Sequence, residues 1–239
     1  MANWITHTII SDILIERYSE LDERAFCVGN IAPDCNMPFG KNFIPSREIT
    51  HFMDGRDKLS ARYDIFFEKY IEGKSFISSE EYSFLLGYYA HLITDVEYLR
   101  FCRDEKQLSR IFSRLARCPE MAKLIGGKEE NFMTLRNAFG KTRIFSDIIA
   151  MENEYLRKFP DCSYQRFLRN IDFFPNYLDF FPENHYAEKI HMMVAEYDCM
   201  ANACEESFLF FTKEEYEGYL LHTSEQILKK LEEKIPILQ

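Results

Sequence analysis

Glycine and proline are scarce in this chain, at nine and eight among 239 residues. Long stretches therefore carry no turn signal, which excludes an architecture of many short strands and predicts helices. Cysteine pairs are missing as well. Cys27, Cys35, Cys102, Cys118, Cys162, Cys199 and Cys204 form no CxxC, and an odd, irregularly spaced set reads as reduced thiols of a cytosolic protein. No apolar run reaches the roughly 18–20 residues of a membrane span. The opening Met1-Ala2-Asn3-Trp4-Ile5-Thr6-His7 lacks the basic segment and uninterrupted apolar run of a signal peptide. The expectation is a cytoplasmic chain with no integral membrane segment. Positive charge is in deficit too. The formal net charge is −10, so nothing is gained from phosphate-backbone attraction and no passive nucleic-acid binding is expected. A metal-dependent enzyme is not excluded, because a bound ion is the largest local charge in its own site.

What is present is apolar and aromatic, with 22 Phe and 14 Tyr against one Trp, enough to close a full core. Ile9, Ile10, Ile13 and Leu14 recur at helical spacing and predict a helix over 4–18. A second short helix is expected over 22–30, then a turn at Ile31-Ala32-Pro33-Asp34, because Pro33 pushes Ala32 out of helical geometry. Residues 35–45 read as loop and 46–72 as one helix. Ser78 and Glu81 resemble a capping box that opens a helix over 79–102. Further helices are expected over 105–117, 129–158, 187–202 and 212–233. The stretch 160–183, with Pro160, Pro175 and Pro182, is the most broken. No repeat or linker divides the chain, so the expectation is one all-α domain over 1–239.

The informative polar residues lie in the first hundred. His91 and Asp95, four apart in Gly87-Tyr88-Tyr89-Ala90-His91-Leu92-Ile93-Thr94-Asp95, share one face of an apolar helix. Buried unpaired, both would be costly. Imidazole and carboxylate are ordinary zinc ligands, and spacing alone leaves open either a metal or a His–Asp hydrogen bond in the core. His7 and His51 each sit on an expected helix beside apolar neighbours, and the turn at Pro33 could aim Asp34 inward. The set would be supplied by three helices and one turn, a familiar way to build a metal site in a helical core.

The wording of four segments adds to their spacing. Trp4-Ile5-Thr6-His7, Gly29-Asn30-Ile31-Ala32-Pro33-Asp34, Thr50-His51-Phe52 and Gly87–Asp95 occur in one order over about residues 4–100. Together they resemble the zinc-dependent phospholipase C family, a relative of the S1/P1 nucleases. The resemblance implies an all-helical fold and hydrolysis of phosphodiesters, in phospholipids or nucleic acids, at a cluster of up to three zinc ions. It further implies that His7 is a ligand from the first helix and that His51, His91 and Asp95 hold a central zinc, with Asp95 bridging toward His7. Asp34 would be a ligand or the carboxylate that orients the attacking water.

The chain also departs from that family. Phe101 stands near the place of a further His, and no later His-x-x-x-Glu pair exists: His185, His191 and His222 are followed four on by Lys189, Ala195 and Gln226. Trp4 is internal and offers no free amine. One or two Zn2+ ions are therefore expected rather than three. Asp147, between Phe145 and Ile148, is the candidate replacement ligand from the later half, against a salt bridge to Arg143; His185 and His191 are weaker candidates. The aromatic run Phe173–Phe181 is either a ligand wall or packing for an irregular connection. The leading functional expectation is a zinc phosphodiesterase acting on a phosphate ester, phospholipid or nucleotide. The alternative is a non-catalytic descendant that keeps the helical domain and a structural metal site as a binding module. A phosphohydrolase of the HD type needs adjacent His-Asp, and no His here is followed by Asp.

Overall fold

The computed structural model describes residues 2–55, 57–183, 185–201 and 207–235. Its helices in chain order are α1 (Trp4–Ile15), α2 (Glu23–Gly29), α3 (Arg47–Thr50), α4 (Tyr63–Tyr70), α5 (Ser79–Arg103) and α6 (Glu105–Ala116), followed by α7 (Pro119–Ile125), α8 (Phe132–Ile144), α9 (Ser146–Lys158), α10 (His185–Ala201) and α11 (Lys213–Lys234). A two-stranded hairpin, β1 (Met37–Phe39) and β2 (Asn42–Ile44), is the only sheet among the described residues. The fold is all-α. One apolar cluster connects residues from Ala2 to Ile235.

α5 is the axis of the molecule. Every side chain from Ser83 to Tyr98 is buried, so this helix is covered on all faces. Its closest neighbour is α2, and two glycines set that closeness. A Cβ on Gly29 would lie 2.0 Å from the Phe84 carbonyl oxygen, and one on Gly87 would lie 2.1 Å from the Phe26 carbonyl oxygen. The two backbones therefore touch where any side chain would wedge them apart. Asn30, just past α2, ties in α1 by donating from Nδ2 to His7 O at 3.0 Å and to Ser11 Oγ at 2.8 Å.

α1 is anchored on its other side by a buried carboxyl. Glu152 of α9 accepts from Thr6 N at 3.0 Å, Thr6 Oγ1 at 2.6 Å and Asn3 Nδ2 at 3.0 Å, and Thr6 Oγ1 also meets the Tyr216 hydroxyl at 2.9 Å. Burial drives the Glu152 pKa up to about 7, although its hydrogen bonds pull the other way. The aromatic run at 173–181 packs an irregular connection onto α5. Phe174, Tyr177 and Tyr186 surround the Phe84 ring at centroid distances of 5.5, 5.4 and 5.4 Å.

The expected single helix over 46–72 is instead α3, a loop, a 3-10 turn at 58–60 and α4. Phe52 and Gly55 adopt positive φ (51° and 102°), and the Asp57 carboxylate accepts from Leu59 N at 3.1 Å, which starts the new turn. The expected helix over 129–158 is likewise α8 and α9, with Gly140 at φ 76° inside α8. α7 was not expected; Pro119 at its first position is the signal for it. The 35–45 segment, read as loop, closes the hairpin in register Met37↔Ile44, with Gly40 at φ 60° in its turn.

Two outcomes follow. Gly87→Ala forces a methyl group onto the Phe26 carbonyl and should cost more than about 2 kcal/mol in urea unfolding. The control Gly218→Ala, in exposed α11 with nothing within 4 Å of its Cβ, should gain roughly 0.5–1 kcal/mol. Equal effects would refute the close-contact account. Glu152 binds its proton more tightly folded than unfolded, so its contribution is greatest below its ordinary value of 4.5 and is lost as pH rises through about 7. Glu152→Gln should therefore flatten the decline of Tm between those two pH values, and a parallel decline in both proteins would show that Glu152 does not titrate there.

Candidate metal centre

The α2–α5 contact places the end of α2 and the following turn directly over the middle of α5. Pro33 opens a 3-10 turn, Ala32–Asp34, and Asp34 at its end is only 4% exposed. α3 delivers His51 from its C-terminal cap, α1 delivers His7, and α5 delivers His91 and Asp95 one turn apart; all four are fully buried. The structure brings His7, Asp34, His51, His91 and Asp95 together. Donor atoms of His7, His91 and Asp95 lie within 4.8 Å of one another, as do those of Asp34, His51 and His91. His91 belongs to both groups.

Neighbouring groups fix how the rings point. His91 Nδ1–H donates to the Asn30 carbonyl at 2.8 Å, which leaves Nε2 with its lone pair facing the cluster. His51 Nδ1 pairs with Thr50 Oγ1 at 2.9 Å, and its Nε2 faces Asp34 Oδ1 at 3.2 Å, His91 Nε2 at 3.3 Å and Asp95 Oδ2 at 3.4 Å. His7 stacks flat on His91, with centroids 3.9 Å apart and planes 5° apart. Its Nε2 is 3.8 Å from Asp95 Oδ1, too long for a hydrogen bond, and both of its ring nitrogens are buried without a partner. Asp34 Oδ2 is likewise buried and unpartnered.

Electrostatics put this set in ligand-ready form. Burial, reinforced by the neighbouring His91, lowers the His7 pKa to about 4, against the pull of Asp95, so the ring is neutral near pH 7. Burial would keep Asp34 and Asp95 protonated. The Lys58 ammonium and the surrounding histidines outweigh it and hold both carboxyls well below the usual range. The result is a neutral His7 imidazole beside ionised carboxylates, donor chemistry that zinc takes.

Lys58 is the residue that sequence reading missed. Its ammonium enters the cluster from the 58–60 turn, meeting His51 Nε2 at 2.7 Å and Asp34 Oδ1 at 3.4 Å, and making an ion pair with Asp95 Oδ2. An ammonium has three N–H donors, and these three acceptors use them. Lys58 thus stands among Asp34, His51 and one oxygen of Asp95. It does not use His7, nor Asp95 Oδ1, which accepts only a 3.3 Å contact from Ala2 N. A divalent ion therefore fits the His7–His91–Asp95 group with Lys58 in place, whereas the Asp34–His51–His91 group takes one only if Lys58 moves away. No motif in the sequence marks Lys58. Its burial depends on the helix interruption at Phe52 and Gly55, which no periodicity announces.

The later candidates lie elsewhere. Asp147 is fully buried, but Oδ1 accepts from Ser207 N and Oγ and from Phe208 N, and Oδ2 accepts from Phe210 N and Phe211 N. It is a peg that holds the 207–211 loop, and it is outside both donor groups. His185 packs its ring on Phe181 at 5.4 Å and is in neither group, while His191 is exposed. Phe101 stacks on Tyr219 at 5.0 Å, filling with ring packing the place where a further histidine was looked for.

A sequence model of the family described as zinc dependent phospholipase C matches residues 4–97. Comparison with curated proteins and with solved structures gives no match. The matched segment contains every residue of both donor groups, together with Asn30, which orients His91, and Lys58, which neutralises the carboxylates. On sequence, this part of the chain is similar to the zinc-dependent phospholipase C family.

Proposed function

We propose that the protein is a zinc-dependent hydrolase of phosphate esters, most specifically a phosphodiesterase of phospholipase C type. The observation that carries this reading is the His7 imidazole. It is neutral and fully buried, neither nitrogen has a hydrogen-bond partner, and it faces the His91–Asp95 pair, all three residues lying within the matched segment. Leaving such a ring unsatisfied costs roughly 1–3 kcal/mol, and a divalent ion would remove that cost. His7, His91 and Asp95 would hold the ion. When bound, zinc lowers the pKa of coordinated water toward about 7 and stabilises charge on the phosphoryl oxygens.

The remaining work falls to the chain's own groups. Asp34 keeps Oδ2 free while Oδ1 is engaged by Lys58. Its carboxylate is ionised, so this oxygen can orient a water and accept its proton. Lys58 neutralises one of the two buried carboxylates, which leaves the cluster with net attraction for one divalent cation. The family match supports a phospholipid over a nucleotide as substrate. The reading treats the chain as one domain, because a single apolar cluster connects its described ends. No helix among the described residues is long and apolar enough to cross a membrane.

A second reading has one observation behind it. Lys58 already engages Asp34, His51 and Asp95 in one polar network, as a non-catalytic descendant could retain. The two readings separate in a direct measurement. Purified protein should carry one or two zinc ions by elemental analysis and hydrolyse bis(p-nitrophenyl) phosphate or a short-chain phosphatidylcholine. His91→Ala should lose both metal and activity. Asp34→Asn should keep at least one zinc while kcat falls by about 10²-fold or more. Wild type with no stoichiometric metal would eliminate the hydrolase reading, and stoichiometric zinc without turnover of any phosphodiester would favour the second.

Lys58→Met supplies an independent check. Removing the ammonium leaves Asp34 and Asp95 unbalanced, so the metal-free variant should lose about 3 kcal/mol or more of stability. Zinc should restore most of that loss and bind at least about tenfold tighter than to wild type. Unchanged zinc affinity would mean that Lys58 does not compete for the cluster.

A further inference from the structure

A cleft of ≈ 540 Å³ opens beside the cluster, and its lining is at odds with the acidity of the chain. A protein of net charge −10 places Arg47, Lys58, Arg103, Arg136 and Lys141 around this one space, with Asp57 as the sole acid among the lining residues. Arg103 and Asp57 neutralise each other at 2.8 Å. Lys58 belongs to the cluster. The other three cations are unmatched. Arg47 spreads its guanidinium over the Phe43 ring at 4.2 Å, and its Nε is buried with no hydrogen-bond partner. Among the described residues, Arg136 and Lys141 have no ion-pair partner.

These cations also repel one another. The pKa of Lys141 is lowered by loss of solvent in the cleft and then by Arg47, Lys58 and Arg136, with Asp34 opposing. Lys141 is itself exposed on the rim of this group of charges. Gathering like charges without a counter-charge is unfavourable unless an anion joins them. The lining also includes the aromatic side chains of Tyr98, Phe132 and Phe145. Lys58 lines the cleft while touching Asp34 and Asp95, and Arg47 stands one helical turn before His51, so the cleft and the cluster are continuous.

We propose that this cleft is an anion subsite which takes a phosphate monoester carried by the substrate beside its scissile phosphodiester, with Arg47, Arg136 and Lys141 gripping the phosphate and the aromatic side chains receiving the adjoining carbon skeleton. The dianion of a phosphate monoester matches three unpaired cations better than a zwitterionic or singly charged headgroup does. The inference deepens the hydrolase reading and rests on it for the identity of the ligand as substrate. Anion binding itself needs no metal. The same chemistry can come from a phosphorylated lipid or from a small soluble phosphate ester.

The test is calorimetric titration of the full-length protein, stripped of metal with a chelator, against dihexanoyl phosphatidic acid and glycerol 3-phosphate. Wild type should bind at least one of them saturably. The double variant Arg136→Ala/Lys141→Ala, changed only at exposed positions, should bind about a hundredfold more weakly, on the order of tenfold per lost charge-assisted contact. Lys213→Ala, at an exposed position outside the cleft lining, should bind as wild type does. Tighter binding of the phosphatidic acid assigns a lipid source, and equal binding assigns a soluble one. A wild-type affinity weaker than about 10 mM for both, or an unchanged affinity in the double variant, overturns the subsite. The two claims fail separately. A subsite that binds as described in a protein whose zinc form hydrolyses nothing refutes the hydrolase and leaves the subsite. Hydrolysis of a simple phosphodiester by a wild type that binds neither ligand does the reverse.

Discussion

The backbone contact between α2 and α5 is the constraint on which the candidate centre depends. Because Gly29 and Gly87 have no Cβ, the Phe26 and Phe84 carbonyls approach the facing helix more closely than any side chain would allow. That approach carries the Asn30 carbonyl to within 2.8 Å of His91 Nδ1. The bond fixes the ring's orientation and its tautomer, and with them the direction of the Nε2 lone pair. Asn30 then spends its side-chain amide on α1, so His7 is held in the same frame as the ring on which it stacks. Two small residues thus set the relative position of three of the four elements that supply the cluster.

Charge balance is the second constraint. Two ionised carboxylates among three imidazoles, all shut away from water, need compensating positive charge. Lys58 supplies part of it by reaching in from a turn that exists only because the chain breaks helix at Phe52 and Gly55. The same side chain forms part of the wall of the basic cleft. One residue therefore joins a buried anionic cluster to a cationic surface. A phosphate ester bound across the two would find positive charge on one side and ionised oxygen on the other.

Sequence made much of this legible, unevenly. α1, α2, α5, α6, α10 and α11 follow periodicities and turn signals that tertiary packing did not override. The five residues of the cluster lie in segments whose order and wording resemble one family, and the family match covers the same segments. Local pattern failed where its determinants are not periodic. The 46–72 segment has enough apolar spacing for one helix, yet positive φ at Phe52 and Gly55 divides it, and that division is what buries Lys58. Asp147 is a candidate ligand in the sequence because an acid between Phe145 and Ile148 can face the core. It does, but the backbone amides it meets come from 207–211, sixty residues away, a pairing that spacing cannot foresee. Gly29 and Gly87 were visible in their motifs, but their role as a mutual contact appears only once the helices are packed.

The central claim is that the His/Asp cluster holds a divalent metal with Lys58 as its neighbour. Anomalous diffraction from crystals of zinc-loaded protein, collected on both sides of the zinc absorption edge, tests it most directly. The account predicts a peak at about 2.0–2.2 Å from His7 Nε2, His91 Nε2 and an Asp95 oxygen. A cluster holding the Lys58 ammonium alone, with no anomalous peak near His7, would contradict it.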